Sequence, residues 1–243
     1  MTSIIIHDTM YDPCFDIYSN TSQFFSWASS NDFNPDIKTK DNIPLWIDCL
    51  KNAHVKGMLF LLEKGATVNT STLHVLESLN LTGLFLSVLW SYTNKDLFMR
   101  SIEAGINLNI LIPLGEQPSY NPVHSRIDVI NAECPVLHMI CMDSDLSYLQ
   151  VYEYIDFLLS RGLDINATDN NGNTVLHCVS VAMLADKDNN LPVLSFLISR
   201  GADLSVLNNF GFTASGYFMK FIIDIMPDKS GTALYNNTIA ALS

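Results

Sequence analysis

Two spacings in this 243-residue chain put cysteine and histidine close enough to suggest chemistry. Cys134 stands four residues before His138, and His177 is followed directly by Cys178. An imidazole beside a thiol can make a nucleophilic thiolate, and the same residue types bind zinc. Neither spacing completes such a site. Adjacent helical residues point in different directions, and an i, i+4 pair supplies two ligands where a tetrahedral metal needs three or four. His74 and Glu77, at i, i+3, suit any exposed helix face. The sequence has no glycine-rich phosphate loop, no G-x-S-x-G elbow, no H-E-x-x-H and no paired carboxylates in a supporting context. The reading is therefore of a protein without catalytic residues, cofactor or bound metal.

The elements that must position these residues come next. Five cysteines (Cys14, Cys49, Cys134, Cys141 and Cys178) are scattered without a C-x-x-C pair. They read as free thiols in a reducing compartment, mostly buried as small apolar residues. Hydrophobic residues make up 48% and charged residues 16%, the balance of a globular chain. The most apolar run, Leu79 to Trp90, is broken by Asn80, Thr82, Gly83 and Ser87, so it reads as a buried helix and not a membrane span. Ile4-Ile5-Ile6 has no preceding basic residue, unlike a secretory signal. The expectation is a cytoplasmic protein that is monomeric on its own. Its net charge of −12 disfavours nucleic acid and anionic membrane. The same field would hasten encounter with a basic protein.

Internal repetition is strongest toward the C-terminus. Asp156-Phe-Leu-Leu-Ser-Arg-Gly162-Leu-Asp-Ile-Asn166 returns 39 residues later as Ser195-Phe-Leu-Ile-Ser-Arg-Gly201-Ala-Asp-Leu-Ser205. Weaker copies are Leu61-Leu-Glu-Lys-Gly65-Ala-Thr-Val-Asn69 and Arg100-Ser-Ile-Glu-Ala-Gly105-Ile-Asn-Leu-Asn109. Each predicts a helix stopped by a glycine in the left-handed conformation. A second element precedes each copy: Ile43-Pro44-Leu45-Trp46, Ser71-Thr72-Leu73-His74, Pro135-Val136-Leu137-His138 and Thr174-Val175-Leu176-His177. The last sits within Asp169-Asn170-Asn171-Gly172-Asn173-Thr174-Val175-Leu176-His177.

These segments resemble the ankyrin repeat, with its D-x-x-G-x-T-P-L-H opening and L-L-x-x-G-A-D-x-N ending. The resemblance spans about residues 42 to 216 and is most specific over 156–216. It implies an all-α solenoid of about four to five helix-pair repeats with atypical caps. Residues 1–41 read as an N-terminal cap or worn half repeat, 42–208 as the array and 209–243 as a capping repeat. Of the Leu-to-Gly spacings of 20, 32, 25 and 25 residues, the first approximates the family's compact helix pair and the others predict longer helices or loops. Asp186-Lys-Asp-Asn-Asn190 before Pro192 reads as one such loop. Residues 111–133, with Pro113, Gly115, Pro118 and Pro122, read as a long non-repeat insertion, either a contact loop or a disordered one.

The resemblance also gives His138 and His177 a structural role, bonding the turn backbone. It places partners on the turn tips and on the face of the first helices. Carried over position by position, this nominates Thr168, Asp169, Asn170 and Asn171 at one tip, and Leu207, Asn208, Asn209 and Phe210 at the next. Tyr120 in the insertion is a further candidate. So is Trp46, which replaces the motif histidine and is read as an interface anchor or a plug in an irregular stack. The implied function is recognition of a specific protein, in its narrower form inhibition of that protein by an immunity-type mechanism. A host-directed microbial effector is the alternative.

Overall fold

The computed structural model describes residues 4–6, 9–11, 17–30, 33–91, 95–143, 145–182 and 190–243. The chain divides into two compact units, Met1–Asn107 and Leu108–Ser243.

The first unit begins with a short antiparallel hairpin, β1 (Ile4–Ile6) and β2 (Thr9–Tyr11). Helix α1 (Thr21–Ser30) follows, and its Phe24 is fully buried among the rings of Phe25, Trp27, Phe33 and Phe60. Helices α2 (Leu45–Lys51) and α3 (Val55–Glu63) form a packed pair. Next come α4 (Thr70–Ser78), α5 (Thr82–Ser91) and α6 (Lys95–Glu103). The long spacing from Leu73 to Gly105 is thus filled by three helices, not by longer helices or loops. Asn80 hides the extra break, because at φ 55° it takes the left-handed role that glycine takes elsewhere. The N–H of Leu81 then closes α4 onto the carbonyl of Leu76.

In the second unit, β3 (Leu111–Asn121) and β4 (Arg126–Pro135) form a ten-rung antiparallel hairpin. Helices α7 (Val136–Cys141), α9 (Val175–Ala182) and α11 (Ala214–Ile225) lie side by side as one layer. Helices α8 (Tyr148–Ser160), α10 (Asn190–Ser199) and α12 (Ala233–Ala241) form the second layer behind them. Each first helix is followed by its partner in the second layer. Val136, Leu137, Val175, Leu176 and Phe218 are sealed between the layers.

Two expectations are corrected here. The fold is mostly helical but not all-α, since both hairpins are β structure. The insertion at 111–133 is paired strand and not an irregular loop. Prolines argue against interior strands, but a two-stranded ribbon has two free edges, where a missing N–H costs little. Gly115, at φ 70°, absorbs the register shift that follows Pro113. The loop predicted before Pro192 lies outside the described residues up to Asn190, where α10 begins.

The four motif glycines behave alike. Gly65, Gly105, Gly162 and Gly201 have φ between 85° and 96°. After each, the next residue's N–H returns to a carbonyl five residues back: Ala66 to Leu61, Ile106 to Ser101, Leu163 to Leu158 and Ala202 to Leu197. This closure satisfies carbonyls that a helix end would otherwise orphan.

Candidate functional site

The histidines link one repeat to the next. Nε2 of His138 donates to the carbonyl of Asn173 at 3.0 Å, and Nε2 of His177 donates to the carbonyl of Phe212 at 3.0 Å. On His177, Nδ1 accepts from the backbone N–H of Thr174 (3.2 Å) and from its hydroxyl (2.9 Å). These partners fix the neutral tautomer with hydrogen on Nε2. Both rings are 1% exposed, and burial is the chief force holding both imidazoles below their ordinary value of 6.5. His138 is served less completely, because its Nδ1 is buried without a hydrogen-bond partner among the described residues. Pro135 occupies the place of Thr174 and offers neither N–H nor hydroxyl.

The turns before these helices are built by side chains. Asp169 accepts through Oδ1 from the N–H groups of Asn171 and Asn173, both at 2.8 Å, and through Oδ2 from Nδ2 of Asn173 at 3.1 Å. Asn208 repeats the arrangement, accepting from the N–H groups of Phe210 (3.0 Å) and Phe212 (3.1 Å). Its Nδ2 donates to Oδ1 of Asn173 at 2.9 Å. The two turns are zipped together, for Asn209 gives its N–H to the carbonyl of Asn171 and its Nδ2 to that of Asn170.

The β3–β4 hairpin is fastened to the same turn. The N–H of Asn170 bonds the carbonyl of Glu133, and Nδ2 of Asn171 bonds Oγ of Ser119 at 3.1 Å. At the hairpin's end, Nζ of Lys220 on α11 reaches Oγ of Ser125 at 3.2 Å. The hairpin therefore arches over the layer of first helices. Beneath it is a cavity of about 460 Å³. Leu114, Ile127 and Ile130 line it from the hairpin, and Met142, Val181 and Phe221 from the helical side.

The nominated residues fall into distinct roles. Asp169, Asn171 and Asn208 are turn builders whose polar atoms are engaged, and Asn208 is buried. Thr168, Asn170 and Asn209 are exposed, and Phe210 is half-buried. Leu207 is 60% exposed at the second tip. Tyr120 lies in β3 opposite Ile127, and its side chain is outside the described ones. Trp46 is 1% exposed and packs on Phe85 at 5.2 Å between ring centroids. It fills the stack as a plug and is not a surface anchor. His74 is no motif histidine either, since Asn69 caps α4 and leaves His74 exposed beside Glu77 at 3.3 Å.

Neither cysteine–histidine pair forms an activated nucleophile. The Cys178 thiol points toward Oδ2 of Asp169 at 4.0 Å, while both histidines spend Nε2 on carbonyls. Burial, with Asp169 adding, pushes Cys134 up to about 12 and raises Cys178 well above the usual thiol range. Among the described residues, no group of three or more His, Cys, Asp or Glu side chains could hold a metal ion.

The cavity was missed in the sequence. Its signal was the alternation of Ile130, Ala132 and Cys134, a period of two that marks one face of a strand. The prolines in the opposing strand masked it.

A family model described as ankyrin repeats (many copies) matches residues 137–183, and one described as ankyrin repeat matches residues 171–209. No curated protein matches. Among solved structures, one similar to this chain is that of the predatory endopeptidase Bd0816 from Bdellovibrio bacteriovorus in complex with immunity protein Bd3460. The identity there is 14%, the TM-score 0.49, and 97% of this chain and 98% of that one are covered. An ankyrin repeat domain from Acinetobacter baumannii AYE is similar at 14% identity and TM-score 0.47, covering 95% of both chains.

Proposed function

Taking as premise that this is an ankyrin-repeat protein, we propose that it recognises one specific protein through the turn-and-hairpin face of its second unit. Ankyrin repeats are protein-binding modules, and this face supplies what such binding needs. The observation that carries the reading is exposed apolar surface on a braced scaffold. Leu207 at the tip is 60% exposed, and Val123 and Ile127 on the hairpin are 65% and 46% exposed. Side chains held on a rigid frame lose little entropy on binding. The turns beneath them are cross-linked by Asn209, Asn171 and Asn208.

The finer reading is a basic partner that the chain occupies and thereby inhibits, as an immunity-type protein does. A net charge of −12 supports attraction to such a surface. The stack is read as four to five repeats with atypical ends. A cytoplasmic, reducing setting suits the free thiols of Cys49, Cys134, Cys141 and Cys178.

The test is capture of a stoichiometric partner, followed by titration of the purified pair. Leu207→Asp with Val123→Asp should weaken the complex at least tenfold, and raising salt should slow association. A partner whose affinity ignores both substitutions would overturn this choice of face.

A further inference from the structure

Building on that protein-binding reading, we propose that the outer edge of β4 receives an extended segment of the partner, which joins the hairpin as a third strand. That segment would have no proline against β4 and would carry apolar residues at alternate positions.

Three prolines fix which backbone groups the hairpin leaves over. In an antiparallel ladder, opposed residues alternate between pairs that exchange both N–H···O bonds and pairs whose N–H and C=O groups point outward. Proline has no N–H to exchange, so it fits pairs of the second kind. Pro113 pairs with Glu133, Pro118 with Val129, and Pro135 with Leu111. The β4 members of these pairs are 129, 133 and 135, so a single alternation suits all three. It is unbroken along β4, because the register shift lies in β3 between Pro113 and Gly115. The backbone groups of Ile127, Val129, Asn131 and Glu133 therefore point outward. An independent contact agrees, for the carbonyl of Glu133 accepts the N–H of Asn170, which lies outside the hairpin.

The two edges of the ribbon differ. Proline and bulges are devices that blunt an edge against strand addition, and the β3 edge has both in Pro113, Pro118 and the shift before Gly115. From Arg126 to Cys134, β4 has neither. Among the described residues, no backbone group outside the hairpin bonds Ile127, Val129 or Asn131. Their outward groups recur about every 7 Å, two residues of strand rise, which is the spacing of another extended backbone. Ile127 is exposed, so the edge is open to solvent at that end. Neighbours on adjacent strands share a face. Every second side chain of the added strand would thus join Ile130 and Ala132 on the face that lines the apolar cavity. A second copy of this chain is disfavoured on that edge, because each copy carries a net charge of −12.

The probe is a short peptide of alternating valine and threonine with a lysine at each end. It is added to the isotopically labelled full chain, and amide hydrogen exchange is read by NMR. In the free chain, the N–H groups of Ile127, Val129 and Asn131 should exchange at least tenfold faster than those of Asp128 and Ile130. The reverse order would overturn the edge. Saturating peptide should slow the three outward amides at least tenfold while leaving Glu116 and Tyr120 on β3 unchanged. Val129→Pro removes the central donor opposite Pro118, where the ladder uses no N–H. It should weaken the peptide at least tenfold with exchange at Asp128 and Ile130 preserved. The same peptide with proline for each threonine should not bind, and equal binding would overturn strand addition. Protection that rises with the chain's own concentration would assign the edge to a second copy instead. No protection, either with the peptide or in the captured pair, would also overturn the proposal. A partner weakened by Leu207→Asp with Val123→Asp that leaves the three amides exchanging would overturn the edge and keep the face, so the two readings fall separately.

Discussion

The repeat openings at Pro135 and Thr174 run in parallel until one atom. Each continues Val-Leu-His, each buries its imidazole, and each imidazole donates to a carbonyl 35 residues further on at 3.0 Å. They differ at Nδ1. Thr174 serves His177 with two donors, while Pro135 leaves His138 with none. A third opening, at Thr213, has glycine where the histidine would stand, and the Thr213 hydroxyl accepts the Gly216 N–H instead at 3.2 Å. The comparison teaches that the bond between repeats and the cap within a repeat are separate inventions. The opening at Thr174 has both, the one at Pro135 keeps the bond without the cap, and the one at Thr213 keeps the cap without the imidazole.

The largest expected effect comes from breaking the better-served histidine. His177→Ala removes three hydrogen bonds and opens a cavity, leaving the Phe212 carbonyl with only the Asn208 N–H at 2.9 Å, a cost of about 4 kcal/mol. His138→Ala removes one bond and an already orphaned nitrogen, so about 2 kcal/mol is expected. Urea unfolding of the full chain, with hydrogen exchange on Val175–Ser180, would rank them. Equal losses would mean that the Nδ1 contacts contribute nothing. Acid separates them further. Both folded imidazoles titrate below the ordinary 6.5, so the fold favours the neutral form. Their contribution is complete above pH 6.5 and is lost as pH falls below it toward the folded values. Either alanine variant should flatten that slope.

The turns offer a second contrast. Gly172 and Gly211 both have positive φ, at 75° and 80°. A Cβ on Gly172 would lie 2.5 Å from Oδ1 and 2.7 Å from the backbone N of Asn209, while one on Gly211 meets nothing within 4 Å. Gly172→Ala combines backbone strain with overlap against a neighbouring turn, for a loss of about 3 kcal/mol. Gly211→Ala carries only the strain, about 1 kcal/mol. Similar melting temperatures for the two variants would show that the turns are not in fact zipped together.

Much of this was legible in the residues. The four glycine stops follow from type and spacing, because a left-handed helix end depends on local chemistry, and the roles of His138 and His177 follow from the resemblance that their motif carries. What escaped shares a different cause. Asn80 ends a helix as glycine does, so the extra helix in the first unit left no mark in the motif. The hairpin at 111–135 was obscured by prolines that a two-stranded ribbon tolerates. Trp46 carried no sign of its burial, since the packing of Phe85 against it is a tertiary fact. The cavity is the furthest from sequence, because it exists only where Ser119 and Asn171 fasten the hairpin over the helices.

The smallest effect is the most direct test of the comparison, because it repairs the weaker repeat. Pro135→Thr places at that position the residue found at Thr174. Pro135 has φ −59° and ψ 154°, close to the −70° and 167° of the capping Thr213, so threonine fits without moving the backbone. Its N–H and hydroxyl would reach Nδ1 of His138 as those of Thr174 reach His177. Satisfying a buried orphan is worth roughly 1–3 kcal/mol, and losing the proline's restraint on the unfolded chain costs roughly 0.4–1 kcal/mol. A net gain of about 1 kcal/mol is expected, raising the melting temperature by roughly 2–4 °C. Pro135→Ala supplies the N–H without the hydroxyl and should fall between proline and threonine. The gain should vanish when His138→Ala is present, since the new donors would then have no acceptor. A gain that survives without the imidazole would trace to helix capping alone, and the difference between the two openings would then lie outside the histidine.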